Sequence, residues 1–527
     1  MKASYIIKFL PCWASMPRPL RRGALDFRLR IIQSKLVMNT IRDYNAELGS
    51  ISVEILIIST NTNRLPMPVM PYGACIVAEA AERAGHGAKL LDLMFEYDST
   101  RTVESELMHH TYDIIGLSIR NIDNNDIRHP AFFLKELKPL VRTIRKFSDA
   151  PIVLGGAALG VMPAEILKYS GASYAIVGDG DQTLISLLNA MSTCDPPYRV
   201  PGVAWLENGV CRQTPPMLSH CSGTCTVPDY SRWINAKAYS SAMATVPVQT
   251  KLGCHFKCVY CTYQKIEGPG YRLASPESVS EAIQRLDAEG FRDIEFVDNV
   301  FNSPRHHALE ICEGLARKRH RARLQSLELN PLYIDTELMN ALERAGFVGI
   351  GITAESSSGQ VLKGLGKGFS EEAVYEAARV IKSCKLPCLW IFLIGGPGET
   401  KQTVEETLRF AATQIRRGDT IFFNAGIRIY PGTELEKIAR AEGALSIPVD
   451  EMLEPVFYLS PEIELEWVDK RIREFFDTHL NVIDSDAISL PLLTKIQRLA
   501  CRLGVKPPLW RHTRPIRRIL RYTGIYR

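Results

Sequence analysis

Lys251-Leu-Gly-Cys254-His-Phe-Lys-Cys258-Val-Tyr-Cys261 holds three cysteines, the second four residues after the first and the third three residues after the second. A tight loop with that spacing turns three thiolates toward one point. Soft thiolates crowded together select an iron–sulfur cluster or zinc over hard cations. A structural zinc site or a conventional cluster wants four protein ligands, and no fourth cysteine follows at a comparable spacing. Three ligands leave one iron of a [4Fe–4S] cluster open to a small molecule, and Tyr260 sets an aromatic ring beside that opening. The bland alternatives are chance core cysteines or half of a zinc knuckle.

With an aromatic residue before its third cysteine, the stretch resembles the radical S-adenosylmethionine (SAM) superfamily. That resemblance implies a [4Fe–4S] cluster on Cys254, Cys258 and Cys261, with SAM bound at the fourth iron beside Tyr260. Downstream, strand and helix alternate. Strands are expected at Ala244–Lys251, Asp293–Val297, Ser326–Leu329, Gly349–Ala354, Leu389–Ile394 and Ile421–Ile429. Ser275-Pro276-Glu277 and Ser370-Glu-Glu read as helix starts. Six such units predict a partial (β/α)6 barrel with its active site at the carboxyl ends of the strands. Those ends carry Val297-Asp298-Asn299, Glu355-Ser356, Ile394-Gly395-Gly396-Pro-Gly-Glu399 and Ile427-Arg-Ile-Tyr-Pro-Gly-Thr433. Any one of them is an ordinary turn or cap. In this order after the cysteine loop they resemble the family's SAM-binding set. The resemblance places Asp298 and Asn299 at the SAM amino and carboxylate groups, Glu355 and Ser356 near its ribose, and Gly395 and Gly396 on the adenine side.

Upstream, a second alternation begins at the short apolar run Val53–Ile58 and continues through Lys89–Met94, Asp113–Ile119, Pro151–Leu154 and Tyr174–Val177. Helical segments between them predict a doubly wound parallel sheet that binds ligand beyond the carboxyl ends of its strands. No G-x-G-x-x-G follows the first strand, so a dinucleotide is a poor fit. The glycine turns Gly155-Gly156 and Gly178-Asp-Gly180 let backbone approach a bulky ligand. Placed before the cysteine motif, this pattern resembles the cobalamin-binding Rossmann-like domain of class B radical SAM enzymes. The resemblance assigns Ser118, Gly155, Gly156, Gly178, Gly180 and Asp181 to the cofactor's nucleotide tail. The cobalt-ligating D-x-H-x-x-G motif is missing, and the loop after the first strand reads Asn61-Thr-Asn-Arg64-Leu-Pro66. Position alone puts Arg64 near the cobalt's lower face without coordinating it. The polar loop Arg120–Asp126 reads either as lining for corrin or substrate, or as a solvated, self-capped turn.

These readings divide the chain into a basic leader (1–50), a cobalamin-binding domain (51–195), a connector (196–244), the radical SAM barrel (245–445) and a C-terminal helical segment with a basic tail (446–527). The leader reads as poorly ordered, with Met38 a better start. The connector holds a hairpin turning on Asn208-Gly209 and a stray pair, Cys221 and Cys225. A length of 527 residues exceeds a single core, and 46% hydrophobic with 23% charged residues describes a globular chain. Thirteen cysteines in that length do not make a disulfide scaffold, so reduced, cytoplasmic metal chemistry is expected. The charge of +5 gives no case for nucleic acid. After Asp486 every charged side chain is basic, and the Leu492–Leu503 stretch is amphipathic. That tail reads as a helix packed on the barrel, or as a surface resting on an anionic membrane.

What the resemblance implies is an enzyme that uses a [4Fe–4S] cluster, SAM and cobalamin to methylate an unactivated carbon of a small-molecule or lipid substrate. An electron donor such as flavodoxin or ferredoxin is implied as partner. Three alternatives stay open: ring formation or rearrangement without methyl transfer, a radical SAM enzyme without bound cobalamin, and a non-catalytic metal scaffold.

Overall fold

The computed structural model describes residues 52–193, 195–218, 223–484 and 492–522. The leader and Cys221 lie outside the described residues. The chain divides into two compact units.

The first unit is built on a seven-stranded sheet. β1 (Glu54–Ser59), β2 (Gly87–Asp92), β3 (Ile114–Ser118), β4 (Ile152–Gly155) and β5 (Tyr174–Ile176) run parallel. β6 (Val203–Glu207) and β7 (Val210–Gln213) continue the sheet antiparallel, giving the order 2-1-3-4-5-6-7. Ile55 to Ser59 are buried without alternation, as a strand covered by helices on both faces requires. The hairpin expected in the connector is thus part of the sheet. Asn208 and Gly209 both take positive φ, the geometry of a tight hairpin turn, and the hairpin covers the edge that β5 would otherwise expose. Chain order reverses between β1 and β3, and a sheet of this order binds ligands at the carboxyl ends beside that reversal.

The second unit carries the barrel. A two-stranded ribbon of β9 (Lys251–Leu252) and β10 (Arg272–Leu273) frames the cysteine loop. The main sheet joins β8 (Val246–Val248), β11 (Asp293–Phe296), β12 (Arg323–Leu329), β13 (Phe347–Glu355), β14 (Cys388–Ile394) and β15 (Thr420–Ala425), all parallel and in sequence order. The sixth expected strand, Ile421–Ile429, is broken. Gly426 takes φ +72° where a Cβ would stand 2.8 Å from Ile127, and the chain turns there into β16 (Ile427–Arg428), paired with β17 (Phe457–Tyr458). A seventh parallel strand, β18 (Val482–Asp484), adds beside β15. The stretch Glu462–Ile483, which reads from sequence as one helix acidic on one side, therefore holds the shorter helix Leu465–Thr478 followed by β18.

Capping fixes the barrel helices in register. Ser275 caps the helix Pro276–Ala288, and Thr400 with Thr403 forms a reciprocal capping box on Lys401–Gln414. Behind the sheet, Trp390 and Phe392 meet Phe410 edge-on, and Phe392 stacks on Phe423 at 5.4 Å. Each ring buried this way contributes about 1.5–3 kcal/mol. The turn Leu509–His512 closes the end where the strands begin. A Cβ on Gly349, near the start of β13, would lie 2.8 Å from the Trp510 indole, and the Thr420 hydroxyl donates to the Trp510 carbonyl.

Two stretches counted with the sheet by sequence belong to the barrel unit: Asn63–Tyr72, after β1, and Asp123–Phe132, after β3. The second is locked there. Arg428 donates to Asp123 at 2.8 Å, to the Ile429 carbonyl at 2.6 Å and to the Met452 carbonyl at 2.8 Å, with Arg428 and Asp123 both buried. The Tyr430 hydroxyl donates to Asn125, and Asp126 accepts from the Arg128 and His129 amides. Arg428–Thr433, at the end of the sixth expected strand, reads with Arg120–Asp126 as candidate substrate lining, the alternative for the latter being a self-capped turn. Their central charges instead satisfy each other, because a buried guanidinium or carboxylate must be paired.

Candidate active site

The barrel mouth is organised by the cysteine loop. Gly253 precedes Cys254 with φ +85°, and a Cβ there would strike the Gly270 carbonyl at 1.9 Å, so only glycine fits. Glu267 pins the loop: it accepts from the Gly253 amide at 2.9 Å, from Gln249 at 3.0 Å and from Asn299 at 2.6 Å. On the other side the Val259 amide donates to the Leu365 carbonyl at 3.0 Å. Cys254 is buried and Cys258 and Cys261 are half-buried, all three as free thiols. Among the described residues no three His, Cys, Asp or Glu side chains converge closely enough for one metal ion. The thiols therefore do not meet at a point, as the spacing alone suggested. A cubane cluster takes each thiolate at a different iron, so it fits thiols set round a volume, and it is single zinc that needs a point.

Burial pushes all three thiols up, Cys261 to about 12, with a single cation, Lys367, opposing that rise at each of them. Loading a cluster must displace those protons, and Lys367 lowers the cost. Lys367 is itself held in a buried triad. Its Nζ donates to Glu355 at 3.0 Å and to the Tyr260 hydroxyl at 3.2 Å, and the Tyr260 hydroxyl donates to Glu355 at 2.8 Å. Burial pulls Lys367 down, but Glu355, Tyr260 and Cys258 outweigh it and hold the ammonium well above a free lysine. Glu355 sits at φ +63°, a costly backbone state for a residue with a side chain. The triad places the aromatic residue of the motif, the end of β13 and the segment Gly366-Lys367-Gly368 together. Lys367 was absent from the sequence reading. Its signal was the density of glycines around it, of which Gly366 and Gly368 both take positive φ.

Other expected SAM contacts are already occupied. Asp298 is fully buried, accepting from the Thr250 amide at 2.7 Å, the Thr250 hydroxyl at 2.6 Å and the Lys251 amide. It braces the strand leading into the cysteine loop. Asn299 faces Glu267 and the Gly253 carbonyl, again as a brace. Ser356 is buried against Thr407 and accepts from the Ser358 amide. Gly395 takes φ +101°, which favours glycine, and a Cβ on Gly395 or Gly396 would displace the tips of the Leu459 or Leu365 side chains. The two glycines wrap Glu399, which accepts from Gly395 and Thr403 and which burial pushes up to about 7.

One more carboxylate was missed. Glu328 lies where β12 shifts register between Ser326 and Leu329, and it is open to solvent. Yet desolvation first, and then Glu355 and Glu295, push it up to about 8. A group both accessible and surrounded by protein lines a recess, here the barrel mouth.

The first unit's ligand edge is built differently. Gly155 ends β4 with nothing within 4 Å of a Cβ position, so open space lies beside it. The Ser118 carbonyl accepts from Thr60, and its hydroxyl has no hydrogen bond among the described residues. Gly180 opens the helix Gly180–Thr193, with Asp181 in its first turn. Gly156 serves the fold instead: at φ +102° a Cβ would meet the Ile119 carbonyl at 2.3 Å. Gly178 likewise abuts Pro216. Arg64 is half-buried in the stretch that belongs to the barrel unit. Gly155 and Ser118 thus fit a nucleotide tail, and the cysteine loop fits a cluster.

Known proteins agree with both halves. The model of the radical SAM superfamily matches residues 248–411, and that of the B12 binding domain matches residues 58–188. The tryptophan 2-C-methyltransferase of Streptomyces laurentii is 24% identical over 441 residues, 72% of this chain and 73% of that protein. The anaerobic magnesium-protoporphyrin IX monomethyl ester cyclase of Cereibacter sphaeroides is 24% identical over 356 residues, 65% of this chain and 56% of that protein. Among solved structures, the radical SAM methyltransferase TsrM of Kitasatospora setae, bound to tryptophan and a SAM analogue, shares the fold. Its TM-score is 0.79 at 22% identity, over 90% of this chain and 99% of that one. The chain is therefore a radical SAM enzyme with a B12-binding domain. With both domains in one chain, its cofactors are a [4Fe–4S] cluster, SAM and cobalamin.

Proposed function

We propose that this enzyme methylates an unactivated carbon of a small-molecule or lipid substrate, with flavodoxin or ferredoxin as electron donor. The observation that carries the reading is the coexistence in one chain of a loop bearing three thiols and a sheet edge opened by Gly155. When bound, the cluster and SAM supply a hydrogen-abstracting carbon radical and cobalamin supplies the methyl group, while the protein supplies position. Cys254, Cys258 and Cys261 would hold the cluster. Tyr260, fixed through Glu355 and Lys367, would form a wall beside the cluster the thiols hold. Glu267 and Asn299 keep the loop from spreading, and Asp298 anchors the strand that feeds it. Ser118, Gly155, Gly180 and Asp181 would receive the nucleotide tail of cobalamin. Glu328, its carboxyl pushed up by surrounding protein and by Glu355 and Glu295, gives the recess an acidic group. Holding reactants in one geometry away from water is the catalytic contribution such residues make.

The test uses reconstituted enzyme with reductant and SAM labelled in its methyl group, incubated with tryptophan, other aromatic amino acids and polycyclic lipids. The expected result is labelled product with one 5′-deoxyadenosine and one S-adenosylhomocysteine per methylation. Substrate consumed with deoxyadenosine but no transferred label would instead support ring closure or rearrangement. The similarity to a cyclase keeps that second reading in play.

A further inference from the structure

The C-terminal helices present a face that the reaction does not use. The helix Leu492–Arg502 is fixed on one side: Gln497 donates to the Pro66 carbonyl, and Ala500 is buried. Its other side is open, with Leu499 58% and Leu503 73% exposed beside exposed Lys495, Arg498 and Arg502. The helix Thr513–Tyr522 repeats the arrangement. Arg517 is buried, donating to the Phe476 carbonyl at 2.8 Å and the His479 carbonyl at 2.5 Å, with its guanidinium 3.3 Å over the Phe476 ring. Outward stand Ile519 at 61% and Tyr522 at 87% exposure, among exposed Arg514, Arg518 and Arg521. No aspartate or glutamate occurs from residue 487 to the end of the chain. Both helices are thus anchored by one face and show a second that is apolar and exclusively basic.

We infer that the open face of the helix Leu492–Arg502, continued by Leu503, is a docking surface for an anionic lipid bilayer. Helices of this kind lie in the headgroup layer, with apolar side chains reaching the acyl boundary and cations meeting lipid phosphates. Charge selects the occupant. A second copy would bring the same positive face, and the leader is itself rich in lysine and arginine, so neither is complementary. The apolar residues decide between polyanions. Nucleic acid rewards the arginines through phosphate contacts but gains nothing from Leu499 and Leu503, whereas a bilayer rewards both. The inference is independent of which substrate is methylated.

The test is flotation of the full-length holoenzyme with phosphatidylcholine vesicles, either pure or carrying about 30% phosphatidylglycerol, at about 0.1 M salt. Binding is expected only to the anionic vesicles and should weaken steeply as salt is raised. The variant Leu499→Asn/Leu503→Asn, which keeps every charge, should bind them at least about tenfold more weakly. Arg498→Ser/Arg502→Ser should lose about as much. Unchanged circular dichroism and cluster absorbance show that the variants fold. Equal binding to both vesicle types, no flotation at all, or full binding by the leucine variant would overturn the inference. Tight binding of single-stranded RNA that survives the leucine substitutions, without flotation, would assign the face to nucleic acid instead.

Discussion

The sheet edge of the first unit and the mouth of the barrel make their sites by opposite means. At the sheet edge, side chains are withheld: Gly155 leaves space, and the Ser118 hydroxyl stands without a partner among the described residues. At the barrel mouth, side chains are fully engaged. Tyr260, Glu355 and Lys367 form one buried set, Glu267, Gln249 and Asn299 a second, and Asp298 with Thr250 a third. A bulky preformed ligand needs room and backbone, so its site is cheap to build and tolerant. A cluster has to be assembled from protonated thiols in a low-dielectric setting, so its site needs compensating charge and fixed geometry. The first kind of site should yield to added bulk, the second to removed charge.

Removing the thiols should have the largest effect. Replacing Cys254, Cys258 and Cys261 together by Ala should eliminate the charge-transfer absorbance of the cluster and all SAM cleavage, while the cobalamin spectrum persists. A full cluster in that variant would break the distinction between the two sites.

Next comes Lys367→Met, which strands Glu355 as an uncompensated buried carboxylate. It should cost about 3–5 kcal/mol in chemical denaturation, and cluster loading should slow because the one cation shared by the three thiols is gone. Adding Glu355→Gln should restore much of the stability but not the loading. Restored loading in the double variant would show that Lys367 acts on the fold alone.

Glu399 provides the pH test. Burial raises its carboxyl to about 7, so its contribution to stability is complete below the ordinary carboxylate range and is lost as pH rises through about 7. Relative to Glu399→Gln, the native chain should lose roughly 3 kcal/mol between about pH 5 and 8. Parallel stability curves for the two proteins would contradict this.

The smallest effect separates neighbouring glycines. Gly156→Ala forces a Cβ against the Ile119 carbonyl at positive φ and should cost about 2 kcal/mol. Gly155→Ala meets nothing and should leave stability within about 0.5 kcal/mol. It should nevertheless weaken cobalamin retention in equilibrium dialysis. The reverse pattern would show the ligand space lying elsewhere.

The same contrast explains what could be read in advance. Strand–helix alternation announced both sheets, because buried parallel strands are continuous apolar runs such as Ile55–Ile58 and Cys388–Ile394. The cysteine loop declared itself because its chemistry depends on local spacing. The partners of its charges did not, since Tyr260 meets Glu355 and Lys367 from 95 and 107 residues away. Asp298 and Ser356 were given to SAM by the family resemblance of the strand ends that carry them. Burial turned them inward, a distinction no local pattern carries. Three-residue β18 followed a helix closely enough for periodicity to run the two together. Arg428 looked like site lining until Asp123, 305 residues away, was found against it.

The reading proposed for this chain gives it two cofactor sites that together move a methyl group. It is tested most directly without any substrate. Anaerobically reconstituted full-length protein, reduced and given SAM with a labelled methyl group, is gel-filtered and assayed for iron, sulfide, cobalamin and label. One [4Fe–4S] cluster and one cobalamin per chain are expected, with S-adenosylhomocysteine released and label carried by the bound cobalamin. A chain that holds its cluster yet retains no cobalamin, or retains unlabelled cobalamin while S-adenosylhomocysteine fails to form, would contradict the reading.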